Sequence, residues 1–538
     1  MHVSFDSHRY PYSSKRNVVY GRRGMVGTSQ PLAAEAGLAI LKKGGNAIDA
    51  AIATAACLTV VEPTSNGIGS DCFALVWTKG KLHGLNGSGQ APQQLSIEAV
   101  TAAGHKELPK HGVVPVTVPG TPGAWAELSR TFGKLPLADV LAPAIEYAEN
   151  GYPLSPTLAH YWQEGYRQFS SYRERKEFAS WFETFAPNGR PPQAGEIWSS
   201  PDHAKTLRLI GETEAKAFYQ GEIAEKIASF FKEHQGFLRQ EDLVAYKPEW
   251  VDPIHTDYRG YQVWEIPPNG QGLVALEALN ILKGFEFKER ENGDTYHKMI
   301  EAMKLAFIDG MTYITDPRHM TVTQEELLSD QYAAERRALI GEEALHPQPG
   351  TPQSGGTVYM ATADEEGNMV SFIQSNYMGF GSGIVVPGTG IAMQNRGHNF
   401  SLDPAHDNAL APGKKTYHTI IPGFLTKGDQ PVGPFGVMGG FMQPQGHVQV
   451  VTNAIDFALN PQAALDAPRW MWSGEKTVYL EPHVPQHIVQ ELRRRGHDVH
   501  IGLDIGLFGR GQIIWRDPET GVLAGGTEPR TDGHLAVW

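Results

Sequence analysis

Residues 354–368 read SGGTVYMATADEEGN and set a threonine behind two glycines on the threshold of a strand. A threonine hydroxyl is a weak nucleophile unless a base lies beside it. The economical base is its own α-amine, with a pKa of about 8 once the preceding peptide bond is cut. Such a design needs three parts. Gly355-Gly356 supply a pliant approach that lets the Thr357 hydroxyl attack the Gly356 carbonyl. VYMATA supplies a rigid strand to hold the new terminus. Gly439-Gly440, in VMGGF, supply backbone N–H groups for the developing oxyanion, because no Cβ blocks close approach. The plain alternative is a linker entering a hairpin, and the other glycine-dense stretches (NYMGFGSG, QNRGHNF, YHTIIPG) each read as a turn or bulge when taken alone.

The surrounding elements must position these parts. PLAAEAGLAILKKGG and NAIDAAIATAACLTVV are helical in pattern, with Asn46 as the N-cap of the second. CFALVWTKGKLHGLNGSG alternates about Lys79-Gly80 and predicts a hairpin. From 120 to 340 the texture is mostly helical, interrupted by short strands such as YRGYQVWEIPPNG. After Thr357 strands dominate: TVYMATA, MVSFIQS, GIAMQN, HTIIPGFL and the hairpin GQIIWRDPETGVLAGG, with one helix over roughly 445–459. Strands on both sides of 356 amid abundant helices predict a layered α+β architecture rather than separate beads.

Composition excludes several classes. The net charge of -13, with no Lys/Arg-dense run, argues against nucleic-acid binding. No run of about 18 apolar residues occurs and no signal peptide is apparent, so no membrane partner and a cytoplasmic location are expected. Cys57 and Cys72 form no ligand-like cluster, which suits buried thiols. HExxH, P-loop, GxGxxG and GxSxG motifs are missing, so no metal or organic cofactor is expected. His297 and Glu301 share a helical face, and a structural i,i+4 hydrogen bond is the reading preferred over a metal site.

Taken together, GGNAIDAAIATAACLTVVEPTSNGIGSDCF, VPGTPGAW, EAMKLAFIDG, GGTVYMATADEEGN, GFGSG, MGGFMQPQGH and NPQAALDAPRW resemble the γ-glutamyltranspeptidase (glutathione hydrolase) family over nearly the whole chain. The likeness is nearest to its cytoplasmic bacterial glutathione hydrolase-like branch. This resemblance implies a four-layer αββα sandwich of the N-terminal-nucleophile hydrolase type. It implies one precursor cut between Gly356 and Thr357 into fragments 1–356 and 357–538, both woven into one domain. It also implies Thr357 as nucleophile, Ser375 as the hydroxyl bonded to it, and Gly439 and Gly440 as the oxyanion hole. The implied partners are a small γ-glutamyl or glutaryl amide, water or an amino-acid acceptor, the two fragments themselves, and a homo-oligomer as an option.

The departures from the family pattern fall on recognition of the substrate's α-carboxylate and α-amine. Where an arginine clamp is expected, this chain has Ser88, Gly89 and Gln90. Asn399 stands for an aspartate, His418-Thr419 for paired serines, Tyr377 for an asparagine and Arg396 for a glutamine. Arg396 offers a guanidinium to a substrate carboxylate, or else an ion pair to Asp403 or Asp407. Only residues 401–411 separate NF from PGKK, too short for a lid, so an open pocket with Tyr377 as one wall is expected. The leading reading is an autoprocessing γ-glutamyl hydrolase/transferase. The alternatives are a glutaryl or cephalosporin acylase, an oxamate-type amidohydrolase, and an uncleaved binding protein, the last because Val358-Tyr359 replaces the family's usual Thr-His.

Overall fold

The strand that begins at Gly356 alternates on the two-residue period of a pleated sheet, yet it is buried on both faces. Val358 and Met360 join a cluster with the helix residues Ile52, Ala55 and Val60, whereas Tyr359 and Ala361 join one with Phe424 and Ile514. A strand apolar on both faces must be covered on both, and here a helical layer covers one face and a second sheet the other. The computed structural model describes Tyr12, residues 16–346 and residues 356–538.

The first sheet has seven antiparallel strands in the order His534–Val537, Gly24–Thr28, Gly356–Asp364, Met369–Tyr377, Asp71–Thr78, Lys81–Gly87 and Glu249–Val251. The second runs Val19–Gly21, Leu523–Thr527, Arg510–Arg516, Gln430–Met438, Gly423–Lys427, Tyr261–Glu265 and Ile254–Tyr258. Phe73, Tyr359 and Ile373 of the first pack against Phe424, Ile514 and Leu523 of the second. The Ala-rich helices Pro31–Lys42 and Ala47–Val61 cover the outer face of the first sheet. Gly272–Leu282, Gly293–Tyr313 and Met442–Ile455 share a core with Val263, Val437 and Ile513 of the second. The result is the αββα sandwich, and both sheets draw strands from each side of residue 356.

Local expectations hold where the pattern is long. Asn46 caps its helix in a reciprocal capping box with Asp49, and Lys79-Gly80 turns the expected hairpin. Two strand assignments shrink. GIAMQN keeps only Ile391–Ala392, and HTIIPGFL keeps only its end, in Gly423–Lys427. In the second case Pro422 offers no N–H to a ladder, and the His418 N–H goes to the Asn269 carbonyl at 2.8 Å. Gly355, half of the predicted pliant pair, lies outside the described residues.

Candidate active site

The ladder between the strands Gly356–Asp364 and Met369–Tyr377 shifts register between Gly356 and Val358. Such a bulge re-aims a side chain. Thr357 Oγ1 lies 2.9 Å from Ser375 Oγ. Ser375 Oγ donates to the Gly356 carbonyl at 2.7 Å and accepts the Tyr377 N–H at 2.8 Å. A serine hydroxyl has a single proton. Because the carbonyl can only accept, that proton belongs to Gly356 O, and the Thr357 hydroxyl must donate to Ser375. One buried hydroxyl therefore touches both Thr357 and the carbonyl directly preceding it.

Gly439 and Gly440 follow the strand Gln430–Met438 of the facing sheet, with φ of +136° and +61°, a region side chains rarely adopt. Their carbonyls are taken. Gly439 O accepts from Met442 N at 3.0 Å, and Gly440 O accepts from Gln443 N at 3.2 Å and Gln271 Nε2 at 2.9 Å. Among the described residues neither glycine N–H has an acceptor. A cavity of about 210 Å³ has Gly356, Met438 and Gly439 in its wall, with Gly379, Phe380, Leu507 and Arg510. The Gly356 end of one sheet and the glycine turn of the other thus face one opening.

A second group lies behind Ser375. The Arg396 guanidinium stacks 4.4 Å from the centre of the Tyr377 ring and donates through Nη1 to Thr419 Oγ1 at 2.7 Å. Its Nε is 3.8 Å from Asp71 Oδ2, and His418 Nε2 is 3.1 Å from the same oxygen. His418 Nδ1 accepts from the Ile420 N–H at 3.4 Å, so its ring proton sits on Nε2 and is donated to Asp71. Arg396, Asp71, His418 and Thr419 are all 0% exposed. Burial, reinforced by Arg396 and Lys415, holds His418 well below the usual histidine range, so the ring is neutral. Burial pushes Tyr377 up to about 12. It also raises Asp71 to about 7 against the pull of Arg396, and lowers Arg396 to about 10. Nε and Nη2 of Arg396 have no hydrogen-bond partner among the described residues.

Of the residues singled out for substrate binding, the structure thus unites Arg396, His418, Thr419 and Tyr377. It leaves Asn399 apart, half-buried and donating to the Tyr417 carbonyl at 3.0 Å. The alternative considered for Arg396, an ion pair with Asp403 or Asp407, is not formed. Asp403 accepts from Ala405 N, Asp407 accepts from Thr321, and the carboxylate beside Arg396 is Asp71. Nor is this pocket open in the uncut chain. Tyr377 is paired with Gly356 across the ladder, is held at φ +76° and covers the guanidinium. The absent arginine has a steric reason at Gly89, where a Cβ would lie 1.6 Å from the Val118 carbonyl oxygen. Asp71 escaped the sequence reading. Its only signal was a lone acid among small residues in SNGIGSDCF, ahead of an apolar strand.

His297 and Glu301 do not form the expected i,i+4 bond. His297 meets His497 at 2.9 Å and the Gly341 carbonyl at 2.9 Å, while Glu301 binds Lys304 at 2.7 Å. These side chains are close enough to share an ion, but the lysine ammonium already supplies the cation.

The Gamma-glutamyltranspeptidase family model matches residues 33–538. The chain belongs to this family. It is 37% identical over 527 residues to the glutathione hydrolase-like YwrD proenzyme of Bacillus subtilis, covering 96% of this chain and 98% of that protein. It is 35% identical to the oxamate amidohydrolase proenzyme of Klebsiella pneumoniae, covering 95% and 98%. Among solved structures, a cephalosporin acylase from Bacillus halodurans superposes with a TM-score of 0.96 at 69% identity, covering 100% and 99% of the two chains. As a member of the γ-glutamyltranspeptidase family, the protein is an autoprocessing N-terminal-nucleophile hydrolase or transferase. Among the described residues no helix is long and apolar enough to cross a membrane.

Proposed function

We propose that the protein cuts its own Gly356–Thr357 bond and then, through Thr357, hydrolyses amides of a carboxylate-bearing acyl group, with γ-glutamyl compounds as the leading substrate. The observation that carries this is the Ser375 hydroxyl, held by Thr357 and bonded to the Gly356 carbonyl. In self-cleavage Thr357 Oγ attacks that carbonyl carbon, the C–N bond breaks, and the resulting ester is hydrolysed to a Gly356 carboxylate and a free Thr357 amine. In turnover the free amine takes the hydroxyl proton as Oγ attacks the substrate carbonyl. The oxyanion is received by the Gly439 and Gly440 N–H groups, and the proton passes to the departing amine. Water then releases the acid, or an amino acid takes the acyl group. Arg396 anchors the acyl carboxylate.

Fragments 1–356 and 357–538 on a denaturing gel, with Thr357→Ala remaining one band, test the cleavage step. A wild type that stays one band after long incubation supports the uncleaved binding protein instead. A second reading keeps the machinery and changes the acyl group to a glutaryl or oxamate-type acid. It is favoured by the 69% identity to a protein named cephalosporin acylase.

A further inference from the structure

Gln271 immediately precedes the helix Gly272–Leu282, a position where a short Ser, Asp or Asn side chain is favoured because it caps the free N–H groups. Its side chain makes no such cap. Fully buried, it reaches instead across 169 residues of chain to the glycine turn. Nε2 donates to the Gly440 carbonyl at 2.9 Å and to the Thr419 carbonyl, and Oε1 accepts the Tyr417 hydroxyl at 2.8 Å. Both N–H groups and the oxygen of the amide are thereby used.

The turn needs such a tether. Glycine lacks the Cβ that restrains backbone rotation, so a flipped peptide could swing an N–H away from the oxyanion. The Gly439 carbonyl is fixed by the Met442 N–H at 3.0 Å, and the Gly440 carbonyl by the Gln443 N–H at 3.2 Å and by Gln271. Among the described residues Gln271 is the only side chain bonded to the backbone of either glycine. The Thr419 end is held without it. On either side of Thr419 the His418 N–H goes to the Asn269 carbonyl at 2.8 Å, and the Ile421 N–H to Gln443 Oε1 at 2.9 Å. Loss of the amide therefore frees the turn and leaves the Arg396 anchor in place.

We propose that Gln271 is a positioning residue for acyl transfer, locking the Gly439–Gly440 turn in the conformation that presents its N–H groups to the oxyanion. This rests on the acyl-transfer reading above. Gln271 is hydrogen-bonded to none of Gly356, Thr357 and Ser375, so its share falls on turnover and not on self-cleavage. It lies on the 1–356 side of the cleavage bond and the glycines on the other, so one fragment holds the oxyanion turn of the other.

The test compares Gln271→Met with Gln449→Met. Gln449 is also buried, and its amide also joins two carbonyls, those of Gln445 and Trp470, but neither belongs to the glycine turn. Each variant is assayed for the rate of self-cleavage, for thermal melting and, once cut, for kcat and KM on γ-glutamyl and glutaryl p-nitroanilides. Both should melt lower. Gln271→Met should cut at the wild-type rate and then turn over roughly 10- to 100-fold more slowly with KM little changed, the mark of a contact that acts in the transition state. Gln449→Met should keep the wild-type kcat. Gln271→Glu, which keeps the acceptor for Tyr417 and loses both donors when ionised, is measured alongside and should show the same fall in kcat. Wild-type kcat in Gln271→Met, an equal loss in Gln449→Met, a change confined to KM, or self-cleavage slowed as much as turnover overturns the inference. Failure of both Gln271 variants to fold overturns it too, because the residue then serves the core. Each of these outcomes leaves the acyl-transfer reading intact. Wild-type enzyme that cuts but turns over no carboxylate-bearing anilide overturns the parent reading, and this inference with it.

Discussion

Replacing Ser375 by alanine removes one hydroxyl and three contacts, to Thr357 Oγ1, the Gly356 carbonyl and the Tyr377 N–H. The contact to the Gly356 carbonyl is the one that bears on self-cleavage. When Thr357 attacks, negative charge grows on that oxygen, and a donor already 2.7 Å away stabilises it without reorganisation. Loss of one such donor costs about 2.7–4 kcal/mol of barrier, or roughly 10²–10³ in rate. The fold also suffers, because the buried Tyr377 N–H and Gly356 oxygen lose a partner at about 1–3 kcal/mol each. Ser371→Ala is the matched control. Ser371 lies on the same strand, is equally buried and bonds the Tyr359 hydroxyl at 2.8 Å, away from the cleavage bond. The assay follows appearance of the 357–538 fragment by intact mass, alongside thermal melts of each uncut protein. Both variants should melt lower, but only Ser375→Ala should cut slowly. Ser375→Ala that folds and cuts at the wild-type rate, or Ser371→Ala slowed as much, would refute the assignment.

Other consequences are equally open to measurement. Gly439→Ala places a Cβ at φ +136°, 3.2 Å from Gly509 Cα, and displaces the N–H it carries. Turnover by the cut enzyme should fall about 100-fold or more, with KM changed little. Arg396→Gln should leave self-cleavage at the wild-type rate, since the guanidinium makes no contact with Thr357 or Gly356, while KM for γ-glutamyl anilide rises. Asp71 holds its proton to about 7, against 3.8 for an ordinary aspartate. The stability lent by that proton is complete below about pH 4 and is lost as pH rises through 7, a span on the order of 4 kcal/mol. Calorimetry from pH 5 to 8 should therefore show wild-type stability falling more steeply than that of Asp71→Asn, and parallel curves would contradict the raised affinity. Lys304→Met strands the buried Glu301 carboxylate and should cost about 3–5 kcal/mol in denaturant unfolding.

Much of the fold was legible because its signals are local. The capping box at Asn46, the turn at Lys79-Gly80 and the apolar run after Thr357 each express a preference set within a few residues. The strand patterns at 390–395 and 418–425 exceed the strands formed, since Ile391, Ala392 and Ile420 are buried in the hydrophobic cores while most of each segment stays outside a ladder.

By itself the amino-acid sequence determined that Thr357 stands between a glycine and a rigid strand, that Ser375 and a glycine pair follow it, and that the whole belongs to a layered α+β sandwich. Only the tertiary structure decided what surrounds the substrate end. Asp71 and His418 meet across 347 residues of chain, and Arg396 reaches Thr419 from a different segment than Tyr377. No periodicity or spacing encodes such a meeting, because it depends on how two sheets stack and which strands become neighbours. Proximity along the chain points Arg396 to Asp403 or Asp407, whereas sheet pairing sets Asp71 beside Ser375 and 3.8 Å from the guanidinium.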